Sequence, residues 1–230
     1  MWETHEVGYM KKVRIIGAGL AGSEAAWQCA RRGVAVELFE MRPARTTPAH
    51  QTEDFAELVC SNSLKSESEN TAPWLLKEEM RRFGSLLLEI ARETAVPAGH
   101  ALAVDRAEFS RKVTEAVCRE PLVTIRREEV TSVEDGQFTV IATGPLTSDG
   151  LSQEIVRLSM APSRAGAPAP HNLYFYDSIS PIVEADSIDM SKVYLAARYD
   201  KGSADYINCP MSKDEYDRFY DALLDRKSVV

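Results

Sequence analysis

The chain has 230 residues, 44% of them hydrophobic and 27% charged, the composition of an ordinary globular protein long enough to bury a substantial core. A formal net charge of −8 excludes a general basic footprint, so any nucleic-acid contact has to come from a local patch. No stretch approaches the roughly 20 apolar residues of a membrane span, and the N-terminus, with Glu3 and Glu6 and no apolar run, is not a secretory signal. A cytoplasmic protein with reduced thiols is the expectation.

Met10, Lys11 and Lys12, directly before an apolar strand, read as a natural beginning, and the residues before Met10 read as a tag or an early start. Cys29, Cys60, Cys118 and Cys209 are scattered and form no CxxC pair, which argues against a zinc site and a redox dithiol motif.

The first element carries the most information. VRII, Val13 to Ile16, reads as a buried strand, and GAGLAG follows at once with Gly17, Gly19 and Gly22 in G-x-G-x-x-G spacing. A helix over Ser23 to Arg32 closes at Gly33, and a second strand, Val34 to Phe39, ends at Glu40. Each part has a physical role. Gly17 makes a tight turn, Gly19 lets the backbone approach a pyrophosphate, and Gly22 allows close packing of helix on strand. The helix N-terminus offers N–H donors and a partial positive charge to phosphates. Glu40, about 20 residues on, can accept from adenosine ribose hydroxyls, and its charge disfavours the 2′-phosphate of NADP, leaving FAD or NAD.

Asn70 or Thr71 caps a helix with Pro73 in its first turn, continuing as WLLKEEMRRFGSLLLEIARE, where Leu76, Met80, Phe83, Leu87 and Ile90 form a core face. VPAGHALAV alternates like a strand. Asp105 and Glu108 have capping-box spacing, and Phe109, Val113 and Val117 share one face of the helix they open. Cys29 and Cys118 lie in helices among apolar residues and read as small core side chains. VTIRREEVTSV supplies one or two strands. TVIATGP is a buried strand, Thr139 to Ala142, ending at Thr143 and Gly144, and such an ending commonly closes the FAD half of two-dinucleotide flavoproteins. Combined with the first fingerprint, it moves the expectation from NAD towards FAD.

MAPSRAGAPAPHN is rich in Pro, Ala and Gly and reads as a linker. Beyond it, aromatic alternating segments and a short helix opened by Ser212 and Glu215 suggest a strand-rich second region. The expected architecture is therefore α/β: a Rossmann-like FAD-binding domain over 10–160, a linker over 161–172, and a partial second domain over 173–230.

GAGLAGSEAAW, EMRP, TPAH, FAELVCSNSLKS, LKEEMR, VPAG, ALAVDR, ATGPLTSD, LYFYDSISPIVEADSIDM, AARYDKGSADY and NCPM together resemble the folate- and FAD-dependent tRNA (uracil-5-)-methyltransferases of bacteria, relatives of the larger GidA flavoprotein. The resemblance implies methylation of a T-loop uridine of tRNA. Methylenetetrahydrofolate would supply the carbon, reduced FAD the electrons, and NAD(P)H would restore the flavin. It places the family's two cysteines at Cys60 and Cys209. Cys209 is the expected attacker on the base and Cys60 the partner near the flavin, with the roles open to exchange. The cofactor set is Gly17, Ala18, Gly19, Leu20, Ala21, Gly22, Glu40, Arg42, Thr143 and Gly144. Ser61, Asn62, Ser63 and Lys65 are donors around Cys60, with an ordinary polar loop as the competing reading.

The family's chains are longer, so an incomplete copy is expected, and RKSVV fits the pattern poorly. His100 stands where the pattern has a second Gly, and its side chain would crowd the flavin ring. Arg42, Arg45, Lys65, Arg126 and Arg127 are candidate phosphate contacts, with solvated surface charge as the alternative for each. Two other readings stand beside methylation: a flavin- or NAD-linked oxidoreductase without RNA chemistry, and a non-catalytic remnant that binds ADP-like ligands.

Overall fold

The structure, a computed structural model, describes residues 12–159, 183, 185–197 and 203–225. The expected linker, most of the LYFYDSISPIVEAD segment and the RKSVV end lie outside the described residues. The chain divides into two compact units, Met1–Val96 with Leu102–Pro181, and Pro97–Ala101 with Ile182–Val230.

In the first unit, β1 (Val13–Ile16), β2 (Val36–Phe39), β6 (Val123–Arg126) and β7 (Phe138–Ile141) form one parallel sheet in the order β6-β2-β1-β7. Strand alternation gives each face its own core. Ile15, Val36 and Leu38, all fully buried, face helix α1 (Leu20–Ala30), α3 (Leu86–Glu93) and α4 (Arg106–Arg119). Ile16 and Phe39 face the other way, against Val130 and Leu151. Parallel pairing of β1 with β2 requires the crossover that α1 supplies, as expected for a Rossmann-like unit. The α/β expectation holds.

α1 begins at Leu20, three residues earlier than the sequence suggests, with Gly19 as its N-cap. α4 follows its sequence signals: Asp105 accepts from the Glu108 N–H at 3.0 Å, and Phe109, Val113 and Val117 are fully buried. Cys118, one residue past Val117 and so about 100° round the helix, is exposed, against expectation. Cys29 is half-buried against the core.

The long helix expected over 74–93 is two helices. α2 (Ala72–Arg82) is capped by Thr71, and α3 by Ser85, whose Oγ accepts from Leu88 N. Gly84 between them has φ +71. The break changes the phase of the apolar stripe. Leu87 and Ile90 are buried as expected, whereas Leu76 and Phe83 are 58% and 72% exposed, and Lys77 takes the inward place. Its Nζ donates to the carbonyls of Leu64 and Ser66 on β3 (Ser63–Ser66), at 2.9 and 2.7 Å.

β4 (Ala95–Val96) and β5 (Ala101–Val104) pair antiparallel, with β3 on the other side of β5. β7 is also less buried than expected, with Val140 and Ile141 about 40% exposed, because β1 is its only strand neighbour among the described residues. After it comes α5 (Asp149–Ser159), a helix that the sequence patterns above do not announce.

In the second unit, β8 (Tyr194–Ala196) and β9 (Tyr206–Asn208) form an antiparallel pair, followed by α6 (Lys213–Asp225). The capping box is formed: Ser212 N donates to Glu215 Oε2 at 2.8 Å, and Glu215 N to Ser212 Oγ at 3.3 Å. Tyr206 and Asp205 hold the 97–101 segment through the Ala98 carbonyl and the Gly99 N–H, both at 2.7 Å.

Candidate functional site

The turn from β1 into α1 is shaped by contacts that exclude side chains. Gly17 has φ +96, and a Cβ there would stand 2.9 Å from the Ala142 carbonyl oxygen at the end of β7. A Cβ on Gly22 would stand 1.7 Å from the Gly17 carbonyl oxygen. Gly19 differs: a Cβ there meets nothing within 4 Å. The glycine thus leaves an open cradle at the N-terminus of α1, whose first turn carries no acidic side chain.

Gly17 and Gly19 line a cleft with Glu40, Arg42, His50 and Thr143, completed by Phe39, Met41, Glu128 to Val130, Leu146, Ser148 and Leu151. The structure therefore brings the ends of β1, β2 and β7 to one place. Ala18, Leu20, Ala21 and Gly22 follow the turn: Ala18 and Gly22 are buried, while Leu20 and Ala21 are exposed. Gly144, at φ +62, opens a short 3-10 turn behind Thr143, whose Oγ1 bonds that of Thr147 at 2.6 Å.

Glu40 is 6% exposed. One oxygen accepts from Ala18 N at 3.0 Å, and the other from Arg42 N and Nε at 3.1 and 2.9 Å. Burial alone would raise its pKa. The hydrogen bonds and charge of Arg42, with the two backbone N–H groups, overcome burial and hold the carboxyl below its ordinary range. A carboxylate has about four acceptor sites, two on each oxygen, so the oxygen that accepts only from Ala18 N retains capacity for a ligand hydroxyl while the one bound to Arg42 is filled.

Arg42 is 2% exposed, which overturns the solvated-charge alternative for it. Its Nη1 reaches the Thr52 carbonyl at 3.0 Å and Glu57 Oε2 at 2.8 Å. Glu57 in turn accepts from the backbone N–H groups of Gln51 and Thr52. Arg42 thus joins Glu40 to the loop that leads to Cys60. Of the other candidate phosphate contacts, Arg45 makes a two-bond pair with Glu129, Arg126 reaches Glu37, and Arg127 lies 4.4 Å over the Phe55 ring while bonding two carbonyls. Lys65, at φ 65, is exposed.

Cys60 is half-buried at the end of a segment whose Phe55, Ala56 and Leu58 are buried. Ala56 N donates to the Ala18 carbonyl at 2.9 Å, tying that segment to the glycine turn. Arg106 Nη2 holds the Cys60 carbonyl at 3.2 Å, and Asn62 Nδ2 donates to the Val104 carbonyl at 3.0 Å. The hydroxyls of Ser61 and Ser63 accept from the backbone N–H groups of Ser63 and Lys65. Cys209, in the second unit, is exposed just beyond β9, and His100 of the same unit is exposed. Sequence reasoning did not single out His50 or Ser148; the TPAH turn after EMRP was the one signal for the first.

Among the described residues no helix is long and apolar enough to cross a membrane, and no group of three metal-ligating side chains occurs. A family model described as glucose inhibited division protein A matches residues 12–230. The chain is 70% identical over 219 residues to the methylenetetrahydrofolate–tRNA-(uracil-5-)-methyltransferase TrmFO of Koribacter versatilis, covering 95% of this chain and 47% of that protein. It is 56% identical over 222 residues to the protein of the same name from Solibacter usitatus, covering 95% and 48%. The chain thus spans about half the length of the curated relatives it matches. Among solved structures, the GidA-related protein from Thermus thermophilus aligns with a TM-score of 0.34 and 16% identity, over 60% of this chain and 54% of that one.

Proposed function

The chain belongs to the glucose inhibited division protein A family, and from that premise we propose that it is a part of a folate- and FAD-dependent tRNA (uracil-5-)-methyltransferase that carries the dinucleotide cleft and both reactive cysteines. The observation that carries the reading is the open cradle at Gly19, set between the N-terminus of α1 and the buried Glu40 carboxylate. Backbone N–H groups of the turn would bind a pyrophosphate, and Glu40 would accept from ribose hydroxyls. Thr143 and Gly144 would pass close to the same cofactor.

When bound and reduced, FAD supplies the electrons that turn a transferred methylene into a methyl group; NAD(P)H would restore it and methylenetetrahydrofolate would provide the carbon. The side chains do the rest. Cys209 Sγ, as thiolate, forms a bond to carbon 6 of the uracil, which makes carbon 5 nucleophilic towards the one-carbon unit, and the thiolate leaves when the carbon 5 proton has been removed. Cys60 would assist carbon transfer or that proton removal. Arg106 and the Ala56–Ala18 hydrogen bond fix the backbone that presents it. The domain division proposed is a dinucleotide-binding domain over 10–160, a linker over 161–172 and part of a substrate domain over 173–230.

The test is the visible spectrum of the purified chain, with and without added FAD, after gel filtration, followed by tRNA methylation with Cys60→Ser and Cys209→Ser. A retained flavin band and a methylation signal lost in both variants support the reading. A retained band with turnover indifferent to Cys209 would instead favour an oxidoreductase without RNA chemistry. Absence of the band in both samples would rule out flavin catalysis by this chain alone.

A further inference from the structure

The loop that carries Cys60 is clamped to the start of α4. Val104 N donates to the Asn62 carbonyl and Asn62 Nδ2 to the Val104 carbonyl, both at 3.0 Å, which fixes the loop against the last residue of β5. Asp105 caps α4, and Arg106, the first residue of the helix, holds the Cys60 carbonyl through Nη2 at 3.2 Å. Arg106 is half-buried, and that carbonyl is its one hydrogen-bond partner among the described residues. A guanidinium carries several N–H donors and a full charge, and one neutral carbonyl satisfies little of either.

The acids beside Arg106 and on the segment from Phe55 to Cys60 are engaged elsewhere. Asp105 accepts from the Glu108 N–H, Glu108 pairs with Arg111, and Glu57 holds Arg42 and the N–H groups of Gln51 and Thr52. The other charges of the elements that meet here are cationic: Lys65, exposed on the strand after Cys60, and Arg127, stacked on Phe55 and bonded to two carbonyls. The glycine turn that receives Ala56 N carries no charged side chain. The charge left without a carboxylate next to Cys60 is therefore positive. Both roles considered for Cys60, assisting carbon transfer and taking the carbon 5 proton, need the thiolate, and a nearby cation favours the thiolate over the thiol. We propose that Arg106 is a positioning residue for Cys60 that acts through its charge: it fixes the cysteine backbone and holds an unpaired guanidinium beside the side chain, so that the thiol gives its proton to solvent and the sulfur is presented as the thiolate. The proposal rests on the reading of Cys60 as a reactive cysteine given above.

The experiment follows alkylation by iodoacetamide across the pH range of thiol ionisation in the 230-residue chain and its Arg106→Lys, Arg106→Gln and Arg106→Ala variants. Peptide mass spectrometry reads each cysteine separately, with Cys118, at the other end of α4, as the internal reference. The thiolate displaces iodide, so the midpoint of the rate profile reports ionisation of the thiol. Loss of one cation beside a half-exposed thiol should raise the Cys60 midpoint by about 0.5–1 pH unit in Arg106→Gln and Arg106→Ala, while Arg106→Lys, which keeps the charge, stays close to the parent and Cys118 keeps its midpoint throughout. Should Arg106→Ala fail to fold, the Lys and Gln variants decide, since both keep a donor for the Cys60 carbonyl. A merely structural arginine has a different signature: a loosened loop exposes the thiol and speeds alkylation at every pH without moving the midpoint. That result, a parental midpoint in Arg106→Gln, or an equal rise in all three variants overturns the proposal. The reading of Cys60 as reactive fails separately, if tRNA methylation is indifferent to Cys60→Ser, whereas alkylation alone decides the effect of Arg106.

Discussion

Gly19 and Gly22 are three residues apart in one motif, yet an added methyl should damage different properties at each. At Gly22 the new Cβ would sit 1.7 Å from the Gly17 oxygen and 2.9 Å from the Gly17 carbonyl carbon. Both are backbone atoms of the turn that starts α1, and carbon atoms in contact are ordinarily about 3.5–4.0 Å apart. Relief requires α1 to lift from β1 by more than an ångström, withdrawing Ala26 and Ala30 from the core they share with Ile15 and Val36. The cost belongs to the exceptional class above roughly 4 kcal/mol. At about 2–4 °C per kcal/mol for a unit of this size, Gly22→Ala should lower the melting temperature by roughly 8–16 °C. At Gly19, φ is −69° and the space is open, so Ala costs at most about 1 kcal/mol through the N-cap position, a few degrees. Its methyl enters the cradle instead. A misplaced methyl group costs about 1–3 kcal/mol, which corresponds to a loss of ADP affinity of roughly 5- to 150-fold. Calorimetric melting and ADP titration on the two variants separate the effects. A Gly22→Ala protein that melts within about 2 °C of the parent, or a folded Gly19→Ala protein with parental ADP affinity, would refute the reasoning.

Arg42→Met leaves the Glu40 and Glu57 carboxylates in place without their shared cation, and chemical denaturation at neutral pH should show a loss of about 3–5 kcal/mol. Because Glu40 in the folded protein titrates below its reference value of 4.5, its contribution is present above that pH and disappears as the pH falls. In the variant burial is opposed only by the two backbone N–H groups, so the same carboxyl titrates higher than in the parent and the stability gap between the two proteins should narrow from pH 7 to pH 4; a constant gap would contradict the Arg42 account. Lys77→Met leaves the Leu64 and Ser66 carbonyls without their donor and should cost about 1–3 kcal/mol, read from the shift in urea midpoint. Leu76→Gln should change stability by less than about 0.5 kcal/mol, while Leu87→Ala should cost about 2–5; similar effects at the two leucines would place α2 and α3 on one continuous stripe after all.

The first βαβ unit was legible because its signals are local. Steric demands within a few residues set the glycine spacing, and one carboxylate or hydroxyl next to a helix start was enough to identify Asp105, Thr71 and Ser212 as caps. The errors fall where a local pattern has two continuations. The run from Trp74 to Glu93 keeps helical spacing across Phe83 and Gly84, and only the turn at Gly84 reveals that Leu76 and Leu87 belong to different helices. Val117 and Cys118 are both apolar neighbours on one helix, and the direction of the sheet decides which points inward.

Chemistry tied to backbone geometry could be read from the chain alone: the phosphate-sized turn, the acid at the end of β2 and the parallel crossover. The partners of Arg42 could not. Glu40, Thr52 and Glu57 lie 2, 10 and 15 residues from it, and nothing in their spacing says that they converge on one guanidinium in the interior. The same holds for the cleft wall, where His50 meets residues from the ends of β1, β2 and β7. Periodicity records which side of an element is apolar, whereas the neighbour of a polar group is set by how separate elements pack, and that is decided only in three dimensions.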